Sequence, residues 1–212
     1  MTSVLLARAP AHVRARPPSP APHAILQPLR GGQMLVVREE SSCDIAARER
    51  LLDAAFGPAR FLKTSEALRA GRLPARGLAL SGFHDGELVA TVRLWSIHAG
   101  GVPALLLGPL AVAESRRSLG VGAAMMEAAI ARASALGHKA IILVGDEPYY
   151  RRFGFSPALT ARLDMPGPVE RERFLALELQ PRALDDAAGM IVAAGLRAGA
   201  RRRSADHRRK AA

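Results

Sequence analysis

The chain has 212 residues, of which 49% are hydrophobic and 23% are charged, and its formal net charge is +11. This length and composition are sufficient for one globular domain with a hydrophobic core. No apolar run reaches the roughly 18 residues that cross a bilayer. The single cysteine, Cys43, excludes an internal disulfide and a multi-cysteine metal site, and it favours a cytoplasmic location.

The positive charge is concentrated in the two tails. Residues 1–33 contain four arginines and no acidic residue, and residues 197–212 have a net charge of +6, which leaves +1 for residues 34–196. The basicity therefore gives no reason to expect a nucleic-acid-binding domain, beyond weak and salt-sensitive contact through the tails. We predict that both tails are disordered, and Met34 is then an alternative start of the protein.

Between the tails, the apolar pattern predicts a mixed α/β domain at residues 34–180 and a short terminal helix at 181–196. A strand at 34–38 precedes two helical stretches near 45–55 and 59–70. Strands at 77–83 and 88–97 form a predicted hairpin, because the Asp85-Gly86 turn between them favours a reversal of antiparallel strands. Residues 102–112 return as a third antiparallel strand.

After this meander the apolar period changes. Apolar residues at spacings of three and four predict a helix from Gly120 to Gly137. Lys139 to Val144 is a continuous apolar run, typical of a central strand that is covered on both faces. A strand, a helix and a strand in this order predict a right-handed parallel crossover, so the sheet is mixed. Residues 156–169 form a predicted loop, and 173–179 a last strand.

The turn between the strand at 102–112 and the following helix favours anion binding. We name residues 117–123, Arg-Ser-Leu-Gly-Val-Gly-Ala, the glycine turn. Backbone amides are free at a helix start, and Gly120 and Gly122 have no Cβ to obstruct a ligand. Arg116 and Arg117 supply positive charge, so we predict a diphosphate site. The stretch lacks the Gly-Lys-Ser/Thr of a P-loop and the third glycine of a dinucleotide fingerprint.

Two motifs in order carry a resemblance to a known family. The first runs from Leu107-Gly108-Pro109-Leu110-Ala111-Val112 into the glycine turn, and the second is Tyr150-Arg151-Arg152-Phe153-Gly154-Phe155. Together they resemble the GNAT superfamily of acyl-CoA-dependent N-acyltransferases, and residues 145–155 are similar to its YhbS-type subgroup. The resemblance implies a mostly antiparallel sheet with one splayed parallel pair, flanked by helices. It also implies acetyl-CoA as a co-substrate, with no permanently bound cofactor and no metal.

The same resemblance assigns roles to particular residues. It implies that Tyr150 protonates the departing thiolate. The predicted cofactor-binding residues are those of the strand edge, which pair with the pantetheine arm, and those of the glycine turn, which bind the diphosphate: Leu110, Ala111, Val112, Arg117, Ser118, Leu119, Gly120, Val121, Gly122 and Ala123. The implied reaction is acetyl transfer to a primary amine of a small molecule, peptide or protein, by direct attack in a ternary complex.

Several alternatives stay open at this point. The chain could instead be a non-catalytic acyl-CoA sensor, or it could use a longer acyl-CoA. Tyr149 and Tyr150 could pack in the core with the neighbouring phenylalanines. The sequence leaves the acceptor, the acyl length and the formation of a homodimer undecided. We expect residues 56–72, 98–101 and 156–169 to surround the acceptor.

The sequence offers no clear general base. The strand at 102–112 contains no acidic residue, so we predict a proton transfer through water. Asp146 and Glu147 are expected to cap a helix. The histidines His84, His98 and His138 are expected to be exposed turn residues.

Overall fold

The computed structural model describes residues 24–199 and places them in a nine-stranded mixed sheet with helices on both faces. The strands are β1 (Ile25–Pro28), β2 (Met34–Glu39), β3 (Ala79–His84), β4 (Glu87–Ala99), β5 (Val102–Val112), β6 (Ala140–Val144), β7 (Leu163–Asp164), β8 (Phe174–Glu178) and β9 (Gly189–Ala193). The α-helices are α1 (Ile45–Phe56), α2 (Val121–Ala135) and the single turn α3 (Glu147–Tyr150). None of the helices in this part of the chain is long and apolar enough to cross a membrane.

The sheet follows the order β1-β2-β3-β4-β5-β6-β8, and β9 pairs with β4 and β7. Within the main order every pairing is antiparallel except that of β5 with β6. The predicted mixed sheet, with one parallel pair in its main order, is therefore confirmed. Outside this order the two-residue β7 is also parallel to β9. The hairpin between β3 and β4 has positive φ at both Asp85 (52°) and Gly86 (80°), as the twist of two right-handed strands requires.

Alternation along the strands divides the core between the two faces. Leu105 and Leu107 of β5 pack on the face that carries α2, whereas Leu106 packs on the opposite face with Ile142 and Phe174. The small residues of α2, such as Ala124 and Ala128, allow the helix to lie close to the sheet. Helix α1 covers Ala111 from the other side. The sheet is thus buried on both faces at its centre, which explains the continuous apolar run of β6.

The structure corrects the predicted start of the ordered domain. The expected disordered segment 1–33 includes β1, which pairs with Met34 to Val37 of β2, and Leu29, which is buried in the core. Arg30–Gly32 form a 3-10 turn that connects the two strands. Residues 1–23 and 200–212 lie outside the described residues, so disorder there stays a prediction. A proline lacks only its own backbone N–H donor, and an edge strand such as β1 tolerates the loss of one hydrogen-bond donor at Pro28.

The predicted terminal helix at 181–196 is wrong. The segment contains a turn and then β9, which pairs with Ile97, His98 and Ala99 of β4. Strand β4 has 13 residues, but its pairing with β3 reaches only to Arg93, opposite the first residue of β3. The backbone edge of β4 beyond Arg93 therefore needs another partner. Ile191 at the centre of β9 is fully buried on this edge. The domain therefore continues well beyond residue 180.

The second predicted helical stretch, 59–70, has a different form. It consists of two short 3-10 helices, Pro58–Leu62 and Thr64–Leu68. The hydroxyl of Thr64 donates to the carbonyl of Pro168 at 2.7 Å, which ties this segment to the loop at 156–169. The segment stands beside the open end of β5 and forms a wall of the site described next.

Candidate active site

The parallel pair β5 and β6 separates soon after it forms. Only Leu105↔Ile141 and Leu106↔Ile142 are paired, although β5 continues to Val112. A bulge at Gly108-Pro109 shifts the register of β5 on β4, where Val92 faces Leu110 and Leu94 faces Leu107. A bulge bends the strand that carries it, so the second half of β5 turns away from β6. The result is a V-shaped slot between two strands.

The slot exposes one backbone edge of β5. The amide of Ala113 donates to the carbonyl of Val89 at 2.8 Å, and Ala111 is opposite Thr91 of β4, so both residues face β4. Because backbone groups alternate along a strand, those of Leu110 and Val112 face the slot. This edge can accept an extended amide-containing ligand as an additional strand. Ala111 is buried and its backbone groups face β4, so among the three predicted strand residues only Leu110 and Val112 present backbone groups to the slot.

The glycine turn lies at the mouth of the slot. A 3-10 helix, Glu114–Leu119, leads from β5 to Gly120, whose left-handed φ of 85° allows the chain to enter α2. At the start of α2 the amide of Ala124 donates to the carbonyl of Gly120 at 3.1 Å. Residues 121–123 precede Ala124 in α2, and no helical carbonyl lies one turn before them to accept from their amides. These amides can therefore bind an anion. Arg117 and Ser118 are exposed beside them.

Arg30 is a further cationic residue near the glycine turn, which the sequence did not predict. A Cβ on Gly120 would lie 3.9 Å from Cγ of Arg30, in the 3-10 turn that follows β1. The aliphatic part of the Arg30 side chain thus lies beside the start of α2. No sequence signal within residues 1–33 distinguishes Arg30 from the other arginines. Its position depends on the pairing of β1 with β2.

Tyr149 and Tyr150 extend from α3 across the slot. Their rings meet edge to face with centroids 4.9 Å apart, and Tyr150 contacts Phe155 in the same way at 5.9 Å. The ring of Tyr150 covers the backbone of Gly145, where any side chain would collide with it. The hydroxyl of Tyr149 lies 2.8 Å from the position that a Cβ on Gly122 would occupy. The tyrosine motif and the glycine turn, distant in sequence, therefore meet.

Both tyrosines are half-buried and both line the slot. A tyrosine here can pack against the neighbouring phenylalanines and still present its hydroxyl to a ligand. Burial raises the pKa of Tyr150 to about 12, with a smaller contribution from Tyr149. Burial also raises the pKa of Tyr149, while Arg152, whose guanidinium lies 4.3 Å from the ring centroid, acts in the opposite direction. Both phenols are therefore protonated at neutral pH and available as hydrogen-bond donors.

The slot opens into a cleft of about 630 Å³. One side is formed by Leu107 to Leu110 of β5 and by the tyrosines, and the other by the 3-10 helices of residues 58–68. Of the three segments expected around an acceptor, 56–72 lines the cleft. Residues 98–101 lie at the turn between β4 and β5 and do not line the cleft. The loop at 156–169 does not line it either, but it holds the wall through the hydrogen bond from Thr64 to Pro168.

Buried ion pairs support the floor of the cleft. Arg93 of β4 donates through Nε to Glu40 at 3.0 Å, and Arg48 of α1 contacts both Glu40 and Glu49. Arg60 continues the series through its contact with Glu49 at 2.6 Å. Burial raises the pKa of Glu40, although Arg48 lowers it. These residues come from four separate segments, and periodicity gives no signal for them.

Three acidic side chains line the cleft: Glu49, Glu66 and Asp146. Glu49 and Glu66 each pair with arginines. Asp146 occupies the N-cap position of α3, as expected, but its side chain makes no capping hydrogen bond. Glu147 instead pairs with Arg151 at 2.8 Å.

None of the three histidines is among the residues that line the cleft. His84 is buried rather than exposed, because the tight β3–β4 turn directs it inward beside Asp85. His98 is exposed on β4, and burial lowers the pKa of His138. Within residues 24–199 there is also no group of three or more His, Cys, Asp or Glu side chains arranged to hold a metal ion.

Comparison with known proteins agrees with this geometry. The family model of the GNAT acetyltransferases matches residues 46–155, more than half of the chain. Escherichia coli YhbS, a GNAT N-acetyltransferase solved with CoA, is 25% identical with a TM-score of 0.66, covering 76% of this chain and 91% of that one. A Brucella melitensis GNAT acetyltransferase solved with acetyl-CoA is 27% identical with a TM-score of 0.50, covering 68% and 95%. No curated protein matches the sequence. The chain belongs to the GNAT acetyltransferase family.

Proposed function

We propose that the protein transfers an acetyl group from acetyl-CoA to a primary amine by direct attack within a ternary complex. The observation that carries this proposal is the slot between β5 and β6, which has an open backbone edge on one side, the glycine turn at its mouth and the half-buried Tyr150 in its lining. Acyl transfer in general agrees with the family and with the CoA and acetyl-CoA bound to the two solved relatives.

The proposed donor site extends along β5 and into α2. The amides of the pantetheine arm pair with the backbone groups of Leu110 and Val112, as an added strand would. The diphosphate then reaches the free amides of residues 121–123, where the helix dipole favours negative charge. Arg117, with Ser118 and Leu119 beside it, and Arg30 complete the rim of this site.

In the proposed reaction the amine nitrogen attacks the thioester carbonyl, a C–N bond forms and the C–S bond breaks. The proton that the amine loses ends on the sulfur of CoA, so the products are an amide and the free thiol. The hydroxyl of Tyr150 donates a hydrogen bond to the sulfur as negative charge develops on it. A phenol with a pKa of about 12 would lose its proton to a thiolate of pKa about 8.5 only at a cost. Hydrogen-bond donation, with water completing the proton transfer, is therefore the role we assign.

Calorimetric titration tests the donor site directly. We expect the protein to bind acetyl-CoA, and we expect Arg117→Glu to raise the Kd at least about tenfold by placing a carboxylate beside the diphosphate. Arg76→Glu, at an exposed residue outside the slot, is the matched control for the change of charge. Gly122→Glu is less suitable, because its side chain would also collide with Tyr149. Absence of acetyl-CoA binding by the wild-type protein would contradict the proposal.

Turnover tests the chemistry. Tyr150→Phe should lower kcat about 10²- to 10³-fold with the affinity for acetyl-CoA retained, because the lost hydrogen bond acts only on the departing sulfur. Tyr149→Phe is the matched control and should retain most of the activity. Equal turnover by wild type and Tyr150→Phe would remove this role from Tyr150. Binding of acetyl-CoA with no acetylated product from any amine would instead indicate a non-catalytic acyl-CoA sensor.

A further inference from the structure

The wall of the cleft contains a buried guanidinium with unused hydrogen-bonding capacity. Arg69 follows the second 3-10 helix and is only 8% exposed, yet it lines the cleft. Within residues 24–199 its guanidinium makes one hydrogen bond, from Nη2 to Glu66 at 2.7 Å. Its Nε is buried and has no hydrogen-bond partner in the same part of the chain. Since a guanidinium carries five N–H donors, most of this capacity is unsatisfied.

Arg69 also lies beside the point where the slot opens. Its Nη1 is 3.9 Å from the position that a Cβ on Gly108 would occupy, at the bulge of β5. The carbonyl of Gly108 already accepts a hydrogen bond from Nε1 of Trp95 at 2.9 Å. Arg69 is therefore held against the bulge without a bond to it. A buried donor without a protein partner requires water or a ligand to complete its hydrogen bonding, and the cleft beside Arg69 has room for either.

Among the residues that line the cleft, cations outnumber acids: Arg60, Lys63, Arg69, Arg72, Arg93 and Arg173 against three acidic residues. Three of these cations also pair with carboxylates just behind the lining, so they bring no excess of charge: Arg60 with Asp53, Arg93 with Glu40 and Arg173 with Glu170. Lys63 contacts the ring of Phe56 at 4.7 Å and, among the described residues, pairs with no carboxylate. Burial lowers the pKa of Arg69, Glu66 acts against this, and the nearby Arg60 lowers it further. An anion bound in the cleft would relieve both the desolvation and the repulsion between the two guanidinium groups.

The volume of the cleft restricts what this anion can belong to. About 630 Å³ is the size of a small-molecule site, and the acetyl end of the donor must share it. Phe56, Phe61 and Trp95 add apolar surface to the same lining. The cavity thus suits a compact acceptor that combines an apolar part with a negative charge. Lys63 and Arg72, which pair with no carboxylate among the described residues, favour such an acceptor over a lysine side chain or a polyamine.

We propose that the acceptor is a small amine that carries a carboxylate, and that Arg69 binds this carboxylate beside the bulge of β5. This inference rests on the proposed function, since it concerns the second substrate of the same reaction. A planar guanidinium matches the geometry of a carboxylate and fixes the direction of the attached amine. The simplest members of this class are free amino acids with an apolar side chain.

Matched substrate pairs test the proposal. We would measure kcat/KM at saturating acetyl-CoA for L-phenylalanine, L-leucine and L-methionine, for the three corresponding amides, and for phenethylamine, which lacks the carboxylate entirely. The wild type should favour the acids. Arg69→Met should lower kcat/KM for the acids about 10- to 100-fold and for the amides less than about threefold, as loss of a hydrogen bond to a charged group predicts. The acid-to-amide ratio of kcat/KM is compared between wild type and variant, so that differences in basicity between the amines cancel.

Three further proteins make the result specific to Arg69. Arg69→Lys keeps the charge and should restore part of the preference for the acids. Arg72→Met removes the same charge from the same cleft, but its guanidinium already donates to the carbonyl of Gly195 at 2.6 Å, so it should lower acid and amide turnover equally. Glu66→Gln removes the carboxylate that competes for Arg69 and should lower the KM for the acids only.

The outcomes separate this inference from the proposed function. If the protein acetylates amides or phenethylamine as well as acids, or if Arg72→Met abolishes the preference as fully as Arg69→Met, the Arg69 site is refuted while acetyl transfer stands. If acetyl-CoA binds but none of these amines, nor a wider panel of amines, is acetylated, both are refuted. Unchanged acetyl-CoA affinity in Arg69→Met shows that the variant is folded and that the site belongs to the acceptor. A large loss of acetyl-CoA affinity would assign Arg69 to the donor instead and overturn the inference.

Discussion

The contact between Gly122 and Tyr149 supports a quantitative prediction. An alanine at position 122 would place its Cβ 2.8 Å from the hydroxyl oxygen of Tyr149, 3.7 Å from Cγ2 of Val112 and 3.9 Å from Cζ of Tyr149. Only the first distance is shorter than ordinary van der Waals contact. The hydroxyl of a single side chain therefore decides whether a methyl group fits at the start of α2.

The magnitude follows from two opposing terms. Overpacking of this kind costs about 1 to 3 kcal/mol, whereas alanine is favoured over glycine within a helix by up to about 1 kcal/mol. Gly122→Ala should therefore destabilise the wild type by about 0 to 2 kcal/mol. In a Tyr149→Phe background the clashing oxygen is absent, and the same change should stabilise the protein by up to about 1 kcal/mol. The coupling energy between the two positions is then about 1 to 3 kcal/mol.

Urea unfolding of the four proteins of this cycle measures the coupling, and calorimetric titration with acetyl-CoA gives a second readout. Equal effects of Gly122→Ala in the two backgrounds would refute the contact on which the reasoning depends. The double variant also separates two reasons for a glycine at this position. If it regains stability but binds acetyl-CoA weakly, the glycine also leaves room for the ligand.

Three other predictions concern the tyrosines, the rim of the slot and its floor. The chain has two tyrosines, so the phenolate absorbance in a pH titration reports only Tyr149 and Tyr150. Neither should titrate at the ordinary pKa near 10, and Tyr150→Phe should remove the transition near pH 12. Because burial raises these pKa values, the stability they contribute is complete below about pH 10 and is lost as the pH rises towards 12; a single transition at pH 10 would contradict this. Arg30→Ala should raise the Kd for acetyl-CoA about three- to tenfold, and less at high salt, with an equally exposed arginine as control; no change would remove Arg30 from the rim. Glu40→Gln should lower the free energy of unfolding by about 3 kcal/mol in urea denaturation, since it leaves Arg48 and Arg93 without their buried carboxylate; a loss below about 0.5 kcal/mol would show that the network is solvated.

Local patterns in the sequence were sufficient for strands β2 to β6 and for helices α1 and α2, but not for β1, β9 or the 3-10 segment at 58–68. The alternation in β3 to β5, the 3.6-residue period of α2 and the apolar run of β6 each depend on which face of an element is buried, and the structure agrees with all of them. The glycine turn could be recognised because its requirements, a left-handed residue and free amides, are local. Tyr150 was identified only through a family motif, and its role stays a proposal.

The acceptor side depended on contacts that no local pattern encodes. Arg69 follows the second 3-10 helix, in a segment without a clear apolar period, and its burial follows from its place beside the β5 bulge. The network from Glu40 to Arg60 joins the residue that follows β2 to α1, β4 and a 3-10 helix, so its members have no regular spacing.

The sequence by itself determined the order of the elements from β3 to β6, the glycine turn at the start of α2 and the resemblance to the family, because each of these depends on residues that are near one another in the chain. The tertiary structure alone decided that residues 25–32 join the domain, that 189–193 form a strand rather than a helix, and that Arg69 and Arg30 stand at opposite ends of the slot. The physical reason is the same in each case. The open edge of β2, the uncovered end of β4 and the splay of β5 from β6 exist only in the assembled sheet, and these distant segments take their conformation from the partners that the sheet offers.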